Sequence, residues 1–516
     1  MALARSSIAP PLPGCAPLFD SAAMREADRR SAEDHAIPSV VLMERAGLAA
    51  AEAILDAHPG ARAALVVVGT GNNGGDGMVV ARHLAEAGLA VRVLSPSGEA
   101  PCGPDSAVMS AVAAGIGIAI EPFGPAEPPS PADAIVVDAL LGTGAAGAPR
   151  EPAAAAVRWI AAHPGPVVAL DVPSGVEADS GRVAGDCVRA GLTVTFHGDM
   201  IGLRVTPGAE MAGRVVVADI GVPSAVALDP VGWLAGPGAA AAVPAKGAGA
   251  DKYASGSVLV VAGSPGLTGA ACLAARATLR AGAGLTVVAA PAAVAPVVAA
   301  HLLEVMCAPM PDEAGHLCEA SVDAVLAEAR RASAVAIGPG LGRAEATTGA
   351  LLALLDRLEK PVVLDADGLW HLGAAPERLA GRAHPTVLTP HSGEAARLLG
   401  RDRADVDADR LACARELARR AGAVVVLKGR GTITAAPSGA VVINAGGSPA
   451  LASAGTGDVL TGTVAAFLSK GMDPLAAAAA AVAAHAQAGD LAARGDGTIA
   501  SDLLEALPEA VAQARR

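Results

Sequence analysis

Aspartates set beside glycine turns are the residues of this sequence best suited to chemistry. Asp76 lies inside GTGNNGGDG (69–77), Asp138 opens DALLGTG (138–144), Asp171 opens DVPSG (171–175), and Asp458 closes GTGD (455–458). Glycines let backbone N–H groups approach an anion, and a carboxylate in such a turn can move a proton or face a cation.

The first loop spells a G-x-G-x-x-G dinucleotide fingerprint, Gly69-Thr70-Gly71-Asn72-Asn73-Gly74. A hydride-carrier site also wants an acid about twenty residues on, for the ribose hydroxyls. Ser95 stands at the end of the next apolar run instead. Asn72, Asn73 and Asp76 make the loop polar and partly anionic, and a carboxylate beside a pyrophosphate is repelled unless a cation intervenes. On this motif alone, a polar ligand with a cation and a plain turn with Asp76 at a helix start are evenly matched. Asn73, Asp138, Asp171 and Ser174 all follow strand-like runs and all offer oxygens, a donor set for a hard cation.

In the second half, Gly455-Thr456-Gly457 precede a helical pattern and make an anion nest, with Asp458 placed as a general base for a substrate hydroxyl. Lys428 and Arg430 sit on a Gly-flanked turn, LKGRGT (427–432), suited to phosphate. His391 starts a helix in TPHSGEAARLL (389–399) and is either a ligand contact or a cap. Asp365 and Asp367 are weaker candidates near a nucleotide-bound Mg²⁺.

These turns need strands to hold them. AALVVV (63–68), AVRVLS (90–95), AIVVD (134–138), PVVALD (166–171), LTVTF (192–196) and RVVVAD (214–219) are continuous Val-rich runs, as in parallel strands buried on both faces. Helical patterns separate most of them, so a doubly wound α/β sheet is expected. Residues 21–55 read as two helices parted near Pro38. The pattern restarts with SVLVVAG (257–263), LTVVAA (285–290), AVAIG (334–338), PVVLDA (361–366), TVLTP (386–390), AVVVLKG (423–429), TITAA (432–436) and AVVINA (440–445), then helices within 457–468, 474–493 and 500–514. Between them a Pro/Gly/Ala-rich stretch without periodicity reads as a linker. The expected division is a domain at 1–225, a linker at 226–245 and a domain at 246–516.

The chain has 516 residues, 52% apolar, 17% charged and only 2% aromatic, so it is globular, with cores of Ala, Val and Leu. A net charge of −13 argues against a nucleic-acid surface. Seven scattered cysteines without C-x-x-C point to reduced thiols and a cytoplasmic location. The N-terminal MALARSSIAPPLPGC is broken by prolines and reads as a disordered tail, not a leader. No membrane span is expected, since the most apolar stretch, 281–310, contains Pro291, Pro296, His301 and Glu304. A homo-oligomer is expected, with the Ala-rich surface near 21–55 as a pairing face.

NNGGDG, VDALLGTG and LDVPSG, with LMERAG (42–47) upstream, resemble the NAD(P)H-hydrate epimerase family over roughly residues 20–220. The resemblance implies a Rossmann-like fold and a hydrated nicotinamide dinucleotide, NAD(P)HX, as ligand. It implies that Asn72, Asn73, Gly74, Gly75 and Asp76, with the loop of Gly142, Thr143 and Gly144, hold the substrate. Asn73, Asp138 and Ser174 would hold K⁺, and Asp171 would contact substrate as acid/base. SPGLTGAACLAARATLRAGAGLTVV (264–288), GPGLG, PHSGE, LKGRGT and GTGDVLTG resemble the ADP-dependent NAD(P)H-hydrate dehydratase family over roughly 240–510. That resemblance implies a ribokinase-like α/β domain, with Mg²⁺ and with ADP converted to AMP and phosphate. Ala270, Gly340, His391 and Asp458 would contact NAD(P)HX, and Lys428, Gly429, Arg430, Gly431, Thr432 and Gly457 the nucleotide. Asp251 stands where many members have His, and Ser448 where Asn is frequent. A ribokinase-type small-molecule kinase with an accessory ligand-binding domain is the alternative. A non-catalytic N-terminal binding or oligomerisation module is a second one.

Overall fold

A computed structural model describes residues 4–124, 134–444 and 446–516. Ala445, the last residue of the strand expected at 440–445, lies outside them. The chain forms two compact α/β units, one of residues 17–232 with residues 4–9, the other of residues 233–516 with Pro10–Ala16.

The N-terminal unit opens with α1 (Ser21–His35), capped by the Asp20 carboxylate accepting from Ala23 N, and α2 (Ser39–Ala57), which starts after Pro38. There follow β1 (Ala63–Val68), α3 (Asn72–Glu86), β2 (Ala90–Ser95), α4 (Pro104–Gly115), β3 (Ile120–Pro122), β4 (Ile135–Ala139), α5 (Ala153–Ala161), β5 (Val167–Leu170), β6 (Leu192–Phe196) and β7 (Arg214–Ala218). The sheet is parallel throughout, in the order β3-β2-β1-β4-β5-β6-β7. This is the doubly wound order, whose direction reverses between β1 and β4. Each βα loop therefore returns to one rim, and the crevice lies where β1 and β4 diverge. Small residues let α3 press on that rim: a Cβ on Gly69 would lie 2.0 Å from Leu140 O, and one on Gly77 2.6 Å from Ala139 Cβ.

The C-terminal unit contains β8 (Gly232–Ala235), whose first residue marks the boundary, then β9 (Ser257–Val261), α6 (Thr268–Arg280), β10 (Leu285–Pro291), β11 (Met306–Met310), β12 (Ala334–Ile337), α7 (Glu345–Arg357), β13 (Val362–Leu364), β14 (Thr386–Leu388), α8 (Ser392–Leu399), α9 (Arg410–Ala421), β15 (Val424–Leu427), β16 (Thr432–Ala435), β17 (Val441–Asn444), α10 (Thr456–Ser469), α11 (Pro474–Ala492) and α12 (Ala500–Ala514). The strand order is β11-β10-β9-β12-β13-β14-β15-β16-β17-β8. Pairing is parallel except around β16, which runs antiparallel to β15 and β17. The α/β layering matches the expected fold class.

Two expectations are corrected. The stretch 226–245 is not a linker: Val226 and Leu228 are buried in the N-terminal unit, while Trp233, Ala235, Ala239, Ala240 and Val243 are buried in the C-terminal core. Trp233 pairs with Val442 in register as β8 joins β17. Alanines and glycines conceal this, because their small side chains fill a core without an apolar periodicity. Nor is the N-terminus a free tail. Arg5–Ser6 pairs with Ala227–Leu228, and Leu12 is buried in the same C-terminal core as Trp233. The prolines of this stretch are compatible with such short extended pieces.

Candidate active sites of the two units

In the N-terminal unit a cavity of about 690 Å³ opens on the rim formed by the ends of β1, β4, β5 and β6. Asn72, Asn73, Asp76, Gly142, Thr143, Gly144 and Asp171 all line it. Gly74 and Gly75 do not; they are small because α3 is crowded. A Cβ would lie 2.0 Å from Gly69 O in one case and 2.6 Å from Ser106 Oγ in the other.

Beneath the rim, Asp138 is fully buried at the end of β4. It accepts from Ser174 N at 2.8 Å, Ser174 Oγ at 2.7 Å and Leu140 N at 3.2 Å. Ser174 Oγ in turn accepts from Leu141 N at 3.0 Å, and Leu141 O accepts from Asn73 Nδ2 at 2.9 Å. That chain aims the other end of the amide, Asn73 Oδ1, into a buried position without a protein partner. A buried bare oxygen joined through one residue, Leu141, to a buried hydroxyl and carboxylate suits an alkali cation. A transition metal fits poorly, since no cluster of three or more His, Cys, Asp or Glu capable of holding a metal occurs among the described residues.

Asp171 follows β5 in the left-handed region, φ +64°, and accepts from Thr143 N at 2.7 Å. Gly142 must be glycine for this, since a Cβ would lie 2.7 Å from Asp171 Oδ2. Burial raises the Asp171 carboxyl, and the Thr143 hydrogen bond offsets part of the rise. Burial, then Asp171 and Asp28, pushes Asp76 well above the usual carboxylate range. Burial, then Asp171 and Asp105, lifts Asp28 to about 6. These mutually repelling carboxyls share protons rather than ionising together, which suits acid–base work near neutrality. Asp28 and His197, both lining residues, carry no sequence signal: one is a polar position on an amphipathic helix, the other follows an ordinary strand.

In the C-terminal unit Gly455, with φ +86°, starts α10, and Asp458 sits in its first turn. His485 Nε2 lies 2.8 Å from Thr456 O and fixes this turn from α11. Lys428, just past β15, reaches Asp365 Oδ1 at 2.8 Å and approaches Glu394 at 3.9 Å. Thr461 Oγ1 donates to the other Asp365 oxygen at 2.6 Å. A Cβ on Gly457 would stand 3.4 Å from Lys428 Nζ, so the lysine and the helix start share one small space. Burial, then Asp365, raises Asp458 to about 7, against the lowering pull of Lys428. Burial likewise lifts Glu394 to about 7.

Buried Arg410 braces this corner by donating to Ser392 Oγ at 3.1 Å and to the carbonyls of Leu427 and Lys428, each at 3.2 Å. Helical spacing conceals that role. His391 is the cap of α8: its Nδ1 accepts from Gly393 N at 3.0 Å and Glu394 N at 3.3 Å. Its imidazole is exposed beside a smaller recess that includes Arg343, Trp370, Glu394 and Arg397. Ala270 and Gly340 meet, since a Cβ on Gly340 would lie 3.2 Å from Ala270 Cβ. On the 428–432 turn Gly429 and Gly431 have φ +144° and +64°, Arg430 is exposed, and Thr432 Oγ1 donates to Gly429 O at 2.8 Å. Asp365 is committed to Lys428 and Thr461, so the carboxylates here do not form a protein cage for Mg²⁺.

Comparison with known proteins covers both units. Residues 258–509 match the family model described as NAD(P)H-hydrate dehydratase, and residues 39–202 match the YjeF-related protein N-terminus. The bifunctional NAD(P)H-hydrate repair enzyme of Moorella thermoacetica is 41% identical over 512 residues, 95% of this chain and 96% of that protein. Its counterpart in Escherichia coli is 35% identical, covering 95% of this chain and 92% of that protein. Among solved structures, the ADP/ATP-dependent NAD(P)H-hydrate dehydratase of Bacillus subtilis, co-crystallised with ATP and Mg²⁺, is 31% identical. It covers 54% of this chain and 96% of that chain, with a TM-score of 0.47.

Proposed function

The chain belongs to the bifunctional NAD(P)H-hydrate repair enzymes, and from that membership we propose how its two units divide the work. The N-terminal unit interconverts the R and S hydrates of NAD(P)H, and the C-terminal unit dehydrates the S form at the expense of ADP. A stereospecific dehydratase alone strands half of a mixed substrate, so the pairing is chemically coherent.

In the C-terminal unit ionised Asp458 takes the proton of the C6 hydroxyl as its oxygen attacks the terminal phosphorus of ADP. AMP leaves, and loss of the new phosphate ester together with a proton from C5 restores the C5–C6 double bond. Lys428, oriented by Asp365, and the N–H groups at the start of α10 stabilise the transferring phosphoryl group. Gly429, Arg430, Gly431, Thr432 and Gly457 lie along the nucleotide, and Ala270, Gly340 and His391 along the dinucleotide. Mg²⁺ carried on the nucleotide phosphates would supply further positive charge there. In the N-terminal unit Asp171 exchanges protons at the C6 hydroxyl, with Asn72, Asp76 and the 142–144 loop around the substrate. Asn73, Asp138 and Ser174 would hold K⁺, which supplies positive charge beside the substrate phosphates.

The carrying observation is the cluster of Asp458, Lys428 and Asp365 at the head of α10, a base next to an anion nest. The simple kinase alternative leaves the N-terminal cavity without a role and is not favoured by matches that run through both units. The test supplies hydrated NADH with ADP, or separately ATP, and follows recovery of reduced-nicotinamide absorbance. Recovery with ADP is expected; none with either nucleotide rejects the dehydratase reading.

A further inference from the structure

His197 is the cavity residue that the epimerase reading leaves unused. It follows β6 as Asp171 follows β5, and those strands are neighbours: Asp171 N donates to Val194 O at 2.8 Å, and His197 N to Ala218 O at 2.8 Å. Both residues carry a side chain at φ +64°, a conformation costing about 1–3 kcal/mol that persists where the surroundings enforce it. His197 is 4% exposed, lines the cavity with Asp171, and has no hydrogen-bond partner at either ring nitrogen. The other buried histidines differ. His371 lies 2.7 Å from Thr348 Oγ1 and 2.8 Å from Gly342 O, and His485 reaches Thr456 O. An unsatisfied buried polar group costs about 1–3 kcal/mol, so a bare imidazole in a strained backbone aimed at a cavity needs a reason. Burial lowers it to about 4 against the opposing pull of Asp219, so it stands neutral, one nitrogen donating and one able to accept. Asp171 from the neighbouring rim, Asp28 from α1, Asp76 from α3 and Asp105 from α4 are the acids of its cavity.

We propose that His197 is the second acid–base residue of the epimerisation, working with Asp171 across C6 of the hydrated nicotinamide. This rests on the epimerase reading above. Protonated Asp171 gives its proton to the C6 hydroxyl, which leaves as water while the N1 lone pair forms the C6=N1 iminium. Water then adds to the opposite face of C6 and loses a proton to His197. The hydroxyl is thus inverted, the pair ends as carboxylate and imidazolium, and one proton returned from His197 to Asp171 resets it.

Two variants test this. His197→Gly keeps the left-handed backbone without strain and opens a hole the size of the ring; His197→Gln keeps a buried polar side chain without a titratable base. Conversion of purified R-hydrate is measured by chiral chromatography above the uncatalysed background. Dehydration of S-hydrate by the same chain serves as the folding control. The expected result is a kcat about 10²-fold or more below wild type in both variants, with KM within about twofold and dehydration unchanged. Added imidazole should restore the His197→Gly rate saturably. Wild-type epimerisation in either variant overturns the proposal. So does a loss that imidazole leaves unrestored, which would make His197 structural. Failure of the epimerase reading itself registers separately, as wild-type chain that does not accelerate R-hydrate conversion.

Discussion

Asp458 must be ionised to take a proton, yet burial and Asp365 hold it near 7. Dehydratase kcat/KM should therefore fall about tenfold per pH unit below 7 and level off above it, as a pH–rate profile will record. Asp458→Asn should lower kcat by about 10²–10⁴-fold at every pH. Stability moves oppositely. The folded-state pKa lies above the ordinary aspartate value of about 3.8, so the native state holds the proton more tightly. Its ionisation takes stability away as pH rises from about 4 to about 7, and the asparagine variant should melt no lower than wild type at pH 8. Asp171→Ala separates the two activities. R-hydrate conversion should drop by about 10²-fold or more while S-hydrate dehydration stays intact, and unaffected R-hydrate conversion would refute the epimerase role.

Helices α6 and α10 meet without room for a side chain, since a Cβ on Gly462 would lie 2.2 Å from Ala274 O. Gly462→Ala must push apart the helix that carries Asp458. A loss of about 1–3 kcal/mol is expected in chemical denaturation, together with reduced dehydratase activity. The strand ends that carry the N-terminal rim were legible in the sequence because polar residues break Val-rich runs where the chain turns: Asp138 after IVV, Asp171 after VAL. The start of α10 was legible for the same reason. Asp28, His197 and Arg410 were not, because packing alone brings them to their sites. Trp233 was hidden by small neighbours whose burial leaves no periodic trace. At Gly74 and Gly75 the sequence does not separate two uses of glycine, since glycines that relieve crowding read like glycines that admit a ligand.

At the scale of the molecule, both units depend on segments that lie far apart in sequence. Leu12 is 2% exposed in the C-terminal core. Leu12→Ala should therefore cost about 2–4 kcal/mol and lower the temperature at which dehydration is lost, although the residue precedes the whole N-terminal sheet. Ion replacement should discriminate the units in turn. Exchanging K⁺ for tetramethylammonium should slow R-hydrate conversion severalfold, and Asn73→Ala should make that rate indifferent to the exchange. The division of the chain, residues 4–9 in one unit, 10–16 in the other, 17–232 in the first and 233 onward in the second, has a consequence for synthesis. At about 5–20 residues per second, a ribosome takes on the order of 10–40 s to make the 17–232 segment. Throughout that interval Leu12 waits with Trp233 and the rest of its core not yet translated. A gene cut after codon 232 would therefore leave the downstream product without that seven-residue strip of its own unit.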